Sequence, residues 1–316
     1  MLVDGEWLGA WQPVQEKDED GRFIRETSQF RNWITVDGSA GPTGESGFKA
    51  EPDRYRLYVA LICPWACRTL MVRQLKGLQD LIEVVVLNPV LTEQGWQFGG
   101  YPGTDSAPFE DCQYMHQLYT KADPHYTGRA TVPLLWDKKL DRAVNNESAD
   151  ILKMLNSTFN TLTGNTLNLR PDTLLNEIGT LNQWIYDEVN NGVYKTGFAT
   201  TQLAYEEAYQ HLFNALHSLE ERLSSQPYLL GEQLCESDIR LFVTLVRFDA
   251  AYHGLFKCNL RTIASYPALF SYLQRIYQMK GIAETVNIEH IKQGYYSIKA
   301  LNPNGIVPVG PANLFN

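Results

Sequence analysis

The chain has little cysteine and no apolar run long enough to cross a membrane. Only five of its 316 residues are cysteine, and no uninterrupted apolar stretch approaches the roughly 18 residues of a membrane span. Cysteines that are few and odd in number argue against a disulfide scaffold and favour thiols in a reducing compartment. Residues 1–6 lack the basic and apolar regions of a secretory signal. We therefore expect a soluble, cytoplasmic protein with no membrane partner.

Positive charge is also scarce. Lys and Arg number 27 against 36 Asp and Glu, so the net charge is −9, whereas proteins that bind nucleic acid carry a basic surface. The six histidines and five cysteines show no paired metal-ligand spacing, and no glycine-rich phosphate loop follows a predicted strand. We expect a small molecule or a protein as partner, with no nucleic acid, no metal and no nucleotide cofactor.

The composition that is present, 44 % hydrophobic and 20 % charged, is that of an ordinary globular protein. At roughly 150 residues a domain, the length predicts about two domains. The pattern divides the chain into an extended N-terminal segment at 1–54, a domain at 55–155, a linker rich in Asn and Thr at 156–172, a helical domain at 173–290, and an extended C-terminal segment at 291–316.

The first domain alternates strands with helices. The predicted elements are strands at 55–61 and 82–87, a helix from 64 to about 76, a helix near 109–121, a hairpin of strands at 131–136 and 142–144, and a helix at 148–155. This order, βαβ, helix, ββα, is a thioredoxin-like arrangement. Farther along, helical periodicity dominates, with helices predicted at 174–189, 204–223, 237–252 and 267–278.

Cys63 lies between the first strand and the helix that begins at Pro64. Its sulfur would face the unpaired N–H groups and the positive dipole end of that helix, which favours a reactive thiolate. A buried cysteine at a strand end is the alternative. Cys67 follows by four residues, so the dithiol Cys-x-x-Cys pattern does not apply, and its place on the apolar face favours a core thiol. The pattern thus predicts a monothiol site resolved by an outside thiol such as glutathione.

Four further places in the sequence could hold an anionic peptide beside this thiol. The Val132-Pro133 bond is either a cis peptide that pairs with an extended ligand or a plain edge-strand proline. Glu147 and Ser148 open the last helix, where Ser148 would cap the helix or bind a carboxylate and Glu147 would hold an ammonium group. Arg129 and Trp96 would complete the site, or are surface and packing residues.

Taken together in chain order, many segments resemble the glutathione transferases, and within them the Xi class, the glutathionyl-hydroquinone reductases. They include Phe-Arg-Asn-Trp at 30–33, Gly-Pro-Thr-Gly at 41–44, the stretch 57–65 that ends in Cys-Pro-Trp, and segments 122–126, 131–133 and 146–149. In the second half they are 190–195, 245–250, 256–258, 288–291 and 302–303.

The resemblance implies a thioredoxin-like domain that binds glutathione as co-substrate, a C-terminal helical domain that binds the second substrate, and a homodimer. It implies that Cys63 is the nucleophile, that Tyr194 is the acid near the substrate ring, and that Tyr252 and Tyr295 favour the thiolate. The glutathione-binding residues that it implies are Trp96, Arg129, Ala130, Thr131, Val132, Pro133, Glu147 and Ser148.

The implied reaction reduces S-glutathionyl-hydroquinones to hydroquinones through a mixed disulfide between Cys63 and glutathione, and releases oxidised glutathione. An omega-like thioltransferase or dehydroascorbate reductase would share the cysteine without needing the tyrosines. A non-catalytic glutathione-binding module is the third reading.

Two positions depart from the family pattern. Cys67 stands where His is more usual, which would permit a disulfide with Cys63. Cys235 stands where a Thr or Ser usually caps the central helix before Asp238, and a lost cap costs about 1 kcal/mol.

Overall fold

The computed structural model describes residues 1–9, 17–23, 27–312 and 315. Parts of the predicted extended segments, residues 10–16, 24–26, 313–314 and 316, lie outside the described residues. The chain forms two compact units, one of Met1–Trp11 and Thr27–Leu167, the other of Gln12–Glu26 and Asn168–Asn316. Within the described ranges, no helix is long and apolar enough to span a membrane.

The first unit is built on a four-stranded mixed sheet. The strands and helices of this unit are β1 (Leu2–Val3), β2 (Glu6–Trp7), β3 (Tyr55–Val59), α1 (Pro64–Leu75), β4 (Ile82–Val86), α2 (Met115–Ala122), β5 (Leu134–Asp137), β6 (Arg142–Asn145), α3 (Ser148–Ser157) and the short α4 (Asn160–Thr163). The sheet order is β4-β3-β5-β6, with β3 parallel to β4 and antiparallel to β5. The predicted thioredoxin-like order βαβ, helix, ββα is confirmed.

Two boundaries in this unit differ from the prediction. Helix α2 begins at Met115 rather than near 109, because the Gln117 side chain accepts the backbone N–H groups of Gln113 at 2.8 Å and Tyr114 at 2.9 Å and so caps the helix there. Strand β5 begins at Leu134 rather than 131, since Pro133 has no N–H to donate to a ladder.

The predicted linker contains ordered structure. Helix α3 extends through Asn156 to Ser157, and α4 follows it. Between the two helices, Phe159 is fully buried and meets the edge of the Tyr55 ring, with centroids 6.3 Å apart. The apolar side chain in this Asn- and Thr-rich stretch therefore belongs to the core of the first unit.

The second unit is helical, as predicted. Its helices are α5 (Leu175–Ile185), α6 (Gly192–Phe198), α7 (Gln202–Leu223), α8 (Glu236–Arg247), α9 (His253–Leu255), α10 (Pro267–Tyr277) and α11 (Ile288–Tyr296). Two predicted helices give way to π-helical turns, at Tyr186–Asn190 after α5 and at Phe248–Tyr252 after α8.

Helices α6 and α11 were not predicted. The Asn-Asn-Gly sequence at 190–192 indicates a helix stop, yet the Asn190 side chain turns inward and donates to the Arg240 carbonyl at 2.8 Å and to Thr244 Oγ1 at 2.7 Å. The chain then re-enters a helix at Gly192. Helix α11 begins after Asn287, whose side chain accepts the His290 N–H at 2.9 Å.

Candidate active site

Cys63 is the N-cap residue of α1. Its backbone is extended, with φ −73° and ψ 119°, and Pro64 occupies the first helical position, where its missing N–H leaves no bond unmade. The side chain is 9 % exposed, and its Sγ lies 3.4 Å from the Val132 carbonyl oxygen. The thiol therefore sits at the positive end of a helix dipole, beside one of the predicted glutathione-binding residues.

Cys67 lies one turn along α1 and is 1 % exposed. Its backbone N–H donates to the Cys63 carbonyl at 3.0 Å, the normal geometry of a first helical turn. All five cysteines lie in the described part of the chain, and none forms a disulfide. The structure thus contains no bond between Cys63 and Cys67.

The peptide bond between Val132 and Pro133 is cis. Val132 is buried, whereas Arg129, Ala130 and Thr131 before it are half-buried. The Tyr126 hydroxyl donates to the Arg129 carbonyl at 3.3 Å. This segment leads directly into β5 and is the one that meets the Cys63 sulfur.

Glu147, rather than Ser148, caps helix α3. Its Oε1 accepts the Ala149 N–H at 3.0 Å, and its own N–H donates to Asn145 Oδ1 at 2.7 Å. Ser148 is the first helical residue and is 3 % exposed, and Arg68 from α1 approaches its Oγ at 3.5 Å. The carboxylate caps better than the hydroxyl here because its oxygen reaches the second N–H of the helix.

Trp96 lies in the loop before α2, and its carbonyl accepts the Met115 N–H at 2.9 Å. Trp7 from β2 supports this loop by donating its indole N–H to the Glu93 carbonyl at 3.2 Å and by stacking on His116 at 4.4 Å. The Cys63 sulfur contacts the Val132 segment, and Arg68 of α1 contacts Ser148.

Three tyrosines in the second unit have their hydroxyl groups within hydrogen-bond distance of one another, with Tyr295 in the middle. The Tyr295 hydroxyl lies 2.6 Å from that of Tyr194 and 2.7 Å from that of Tyr252. They come from α11, α6 and the π-helical turn after α8. Burial raises the pKa of both Tyr252 and Tyr295 well above 10, so both are neutral donors at physiological pH. The arrangement can pass or supply a proton.

Sequence reasoning missed three residues that support the site. Arg68 is almost fully buried, stacks its guanidinium on the Trp65 ring at 4.3 Å, and reaches Ser148. Tyr119 and Asn146 are hydrogen-bonded to each other, and the Tyr119 hydroxyl also bonds to the carbonyl of Thr131, one of the predicted binding residues. An arginine on the apolar face of a predicted helix is a usable signal, whereas a tyrosine in a helix core carries none.

Among the residues that the structure describes, no group of three or more His, Cys, Asp or Glu side chains is placed to hold a metal ion.

Known proteins share this organisation. Residues 62–158 match the family model of the glutathione S-transferase N-terminal domain, and residues 202–275 match that of the C-terminal domain. The glutathionyl-hydroquinone reductase YqjG of Escherichia coli K12 is 51 % identical over 98 % of this chain and 95 % of that protein.

Solved structures agree. The glutathione-bound structure of the same Escherichia coli protein superposes with a TM-score of 0.92 at 48 % identity, covering 100 % of this chain and 97 % of that one. The glutathione S-transferase Xi from Phanerochaete chrysosporium superposes with a TM-score of 0.90 at 47 % identity, covering 95 % and 96 %.

Proposed function

Because this chain belongs to the Xi class of the glutathione S-transferase family, we propose that it is a glutathionyl-hydroquinone reductase. It reduces S-glutathionyl-hydroquinones to hydroquinones with glutathione as co-substrate. The observation that carries this assignment is the position of Cys63, at the N-cap of α1 with its sulfur 3.4 Å from the Val132 carbonyl.

In the first step the Cys63 thiolate attacks the sulfur of the glutathionyl group. A disulfide forms between Cys63 and glutathione while the bond between that sulfur and the ring carbon breaks. The electron pair stays on the ring carbon, which takes a proton, and the hydroquinone leaves. Tyr194 donates this proton, and its 2.6 Å contact with the Tyr295 hydroxyl gives it a partner for reprotonation.

In the second step the thiolate of another glutathione attacks the glutathione sulfur of the mixed disulfide. Oxidised glutathione leaves, and the electron pair of the broken bond returns to Cys63 as thiolate. This is ordinary thiol–disulfide exchange, in which a thiolate stabilised at a helix N-terminus is a good leaving group.

Glutathione is held by the first unit. The extended backbone at Val132 pairs with the cysteinyl part of the tripeptide, as a strand edge pairs with a peptide. Glu147 binds the γ-glutamyl ammonium, and the N–H at Ser148, at the start of α3, binds the carboxylate. Further contacts come from Trp96, Arg129, Ala130, Thr131 and Pro133.

The same proposal assigns residues 55–155 to glutathione and residues 173–290 to the hydroquinone. It includes a homodimer, by family membership, and a cytoplasmic location. All five cysteines stay out of disulfides, which supports a reducing compartment.

The decisive experiment follows Cys63 by mass spectrometry during reaction with glutathionyl-menadiol. A glutathione adduct on Cys63, menadiol release, and oxidised glutathione after a chase with glutathione are expected. Cys63→Ala abolishes all three. Cys67→Ala is the matched control, because it removes a buried thiol one turn away and leaves turnover intact. Menadiol release by Cys63→Ala at the wild-type rate would overturn the proposal.

A second arm separates this activity from thioltransferase chemistry. Tyr194→Phe removes the proton donor to the ring carbon, so hydroquinone release is expected to fall by about 10²–10⁴-fold, the range of general acid catalysis. Reduction of a small glutathione mixed disulfide needs no ring protonation and stays near the wild-type rate. Equal losses on both substrates would contradict the role of Tyr194.

A further inference from the structure

Tyr119 in α2 connects two segments that are far apart in the chain. Its side chain is fully buried. The hydroxyl donates to the Thr131 carbonyl at 2.9 Å and accepts from Asn146 Nδ2 at 3.1 Å. Burial raises the pKa of Tyr119 above its usual value of 10, so the hydroxyl keeps its proton and donates at any physiological pH.

Each partner of this hydroxyl immediately precedes a proposed glutathione-binding residue. Thr131 precedes Val132, and Asn146 precedes Glu147. One buried oxygen therefore joins the backbone beside the cysteinyl position of the ligand to the turn beside its γ-glutamyl end.

The side-chain amide of Asn146 makes both of its hydrogen bonds in only one orientation. Its Oδ1 accepts the backbone N–H of Phe30 at 3.1 Å, and the backbone N–H of Asn146 donates to the Phe30 carbonyl at 3.1 Å. Since Oδ1 is occupied, the amide presents Nδ2 to Tyr119, and the tyrosine oxygen is left to donate to Thr131. This fixes the direction of the bond between Asn146 and Tyr119, while the hydroxyl also lies 3.2 Å from Thr131 Oγ1, where either oxygen can be the donor.

The tyrosine ring is held independently of its hydroxyl. The Tyr126 ring meets it nearly edge-on at 5.0 Å, and the Phe30 ring lies at 5.3 Å. Replacing Tyr119 with Phe keeps this packing and removes only the oxygen, so the substitution isolates the link.

We propose that Tyr119 is a positioning residue for glutathione, whose hydroxyl fixes the spacing between the segment at Val132 and the turn at Glu147 so that both meet one tripeptide. The inference rests on the proposed function for the assignment of those two binding residues. Without the oxygen, the half-buried Thr131 carbonyl and the buried Asn146 amide lose this partner, and the two segments can relax apart.

The chain offers a close control in Tyr55. It too is fully buried in the first unit, and its hydroxyl donates to one backbone carbonyl, that of Lys49, at 2.6 Å. Neither Tyr55 nor Lys49 adjoins a proposed binding residue. Tyr55→Phe therefore reproduces the loss of a buried hydroxyl–carbonyl bond without touching the binding segments.

The test measures binding of S-methylglutathione, which cannot react, to the full chain by titration calorimetry. In Tyr119→Phe the dissociation constant is expected to rise about tenfold, the effect of losing one well-supported hydrogen-bonding group. In Tyr55→Phe it stays within about twofold, as for a distant site. The KM for glutathione rises in parallel in Tyr119→Phe, whereas kcat at saturation does not fall. Equal changes in both variants, or none in Tyr119→Phe, would overturn the proposal.

A second substitution, Asn146→Ala, tests the route of the effect and also serves by itself if Tyr119→Phe folds poorly. Asn146→Ala breaks the link from the other side, so alone it must also weaken binding. Combined with Tyr119→Phe, it is expected to weaken binding by less than the product of the two single effects, since both remove the bond between Tyr119 and Asn146, although Asn146→Ala also removes the bond to the Phe30 N–H. If the factors by which the two single substitutions raise the dissociation constant multiply in the double variant, the proposal is overturned. If the wild type binds S-methylglutathione but does not turn over glutathionyl-menadiol, only the proposed function is refuted. If it does not bind S-methylglutathione, both proposals are refuted.

Discussion

At the scale of single residues, position relative to a helix end decides what a side chain can do. Cys63 and Cys67 lie one turn apart on the same helix, yet only Cys63 occupies the N-cap, where N–H groups have no partner within the helix. This difference is visible in the sequence, because Pro64 marks the helix start. The support that Tyr119 gives to Thr131 and Asn146 is not visible, because it joins residues 12 and 27 positions away.

His116 gives a residue-scale prediction about acid sensitivity. It is stacked between Trp7 and Tyr114, and burial, with a smaller effect of the N-terminal charge, lowers its pKa from 6.5 to about 4. Below pH 6.5 the unfolded chain therefore takes up a proton that the folded chain does not. The stability that neutral His116 contributes is complete above pH 6.5 and is lost as the pH falls towards 4.

The measurement compares urea unfolding midpoints at about pH 7.5 and about pH 5. In His116→Phe, which keeps an aromatic ring in the stack and cannot titrate, the drop between the two values is expected to be smaller than in the wild type. An unchanged drop in His116→Phe would show that the ring is not kept neutral by folding.

At the scale of elements, helix α8 begins with a capping box in which one of the two acceptors is the thiol of Cys235. Asp238 Oδ2 accepts the Cys235 N–H at 2.8 Å, while its Oδ1 accepts the Leu229 N–H at 2.9 Å and the Tyr272 hydroxyl at 3.0 Å. The carboxylate thus supplies its half of a capping box. The reciprocal acceptor is a thiol, which accepts hydrogen bonds weakly, and burial keeps it neutral by raising the pKa of Cys235 to about 12.

Cys235→Ser is expected to stabilise the protein by about 0.5–1 kcal/mol, because a hydroxyl oxygen accepts a helix N–H better than sulfur does. The free energy of unfolding from a chemical denaturation curve checks this. Cys258→Ser is the matched control: this thiol is also fully buried but caps no helix, so there the polar group is expected to destabilise. Loss of stability in both variants would mean that a hydroxyl oxygen caps α8 no better than the Cys235 sulfur does.

The element boundaries that sequence periodicity misplaced have a common cause. At α2, the end of α5 and the start of α6, a side chain bonds to backbone or to another helix and changes where the helix begins or continues. Periodicity measures how apolar a face is, whereas such bonds depend on neighbours supplied by the fold.

At the scale of the whole molecule, the proposed homodimer predicts a solution mass about twice the 36.0 kDa of the chain. Light scattering coupled to size-exclusion chromatography measures it directly, with the mass expected to stay constant on dilution across the assay range. A mass equal to one chain, with full hydroquinone reductase activity, would show that each chain is sufficient by itself.

The sequence by itself determined the two-part architecture, the thioredoxin-like order of elements, and Cys63 as the candidate nucleophile. These depend on hydrophobic periodicity and helix-end residues, which act over a few positions. Only the tertiary structure placed the Cys63 sulfur beside Val132 and gathered three tyrosine hydroxyls within hydrogen-bond distance. Such contacts join residues tens of positions apart, so they exist only once packing has fixed every element in space.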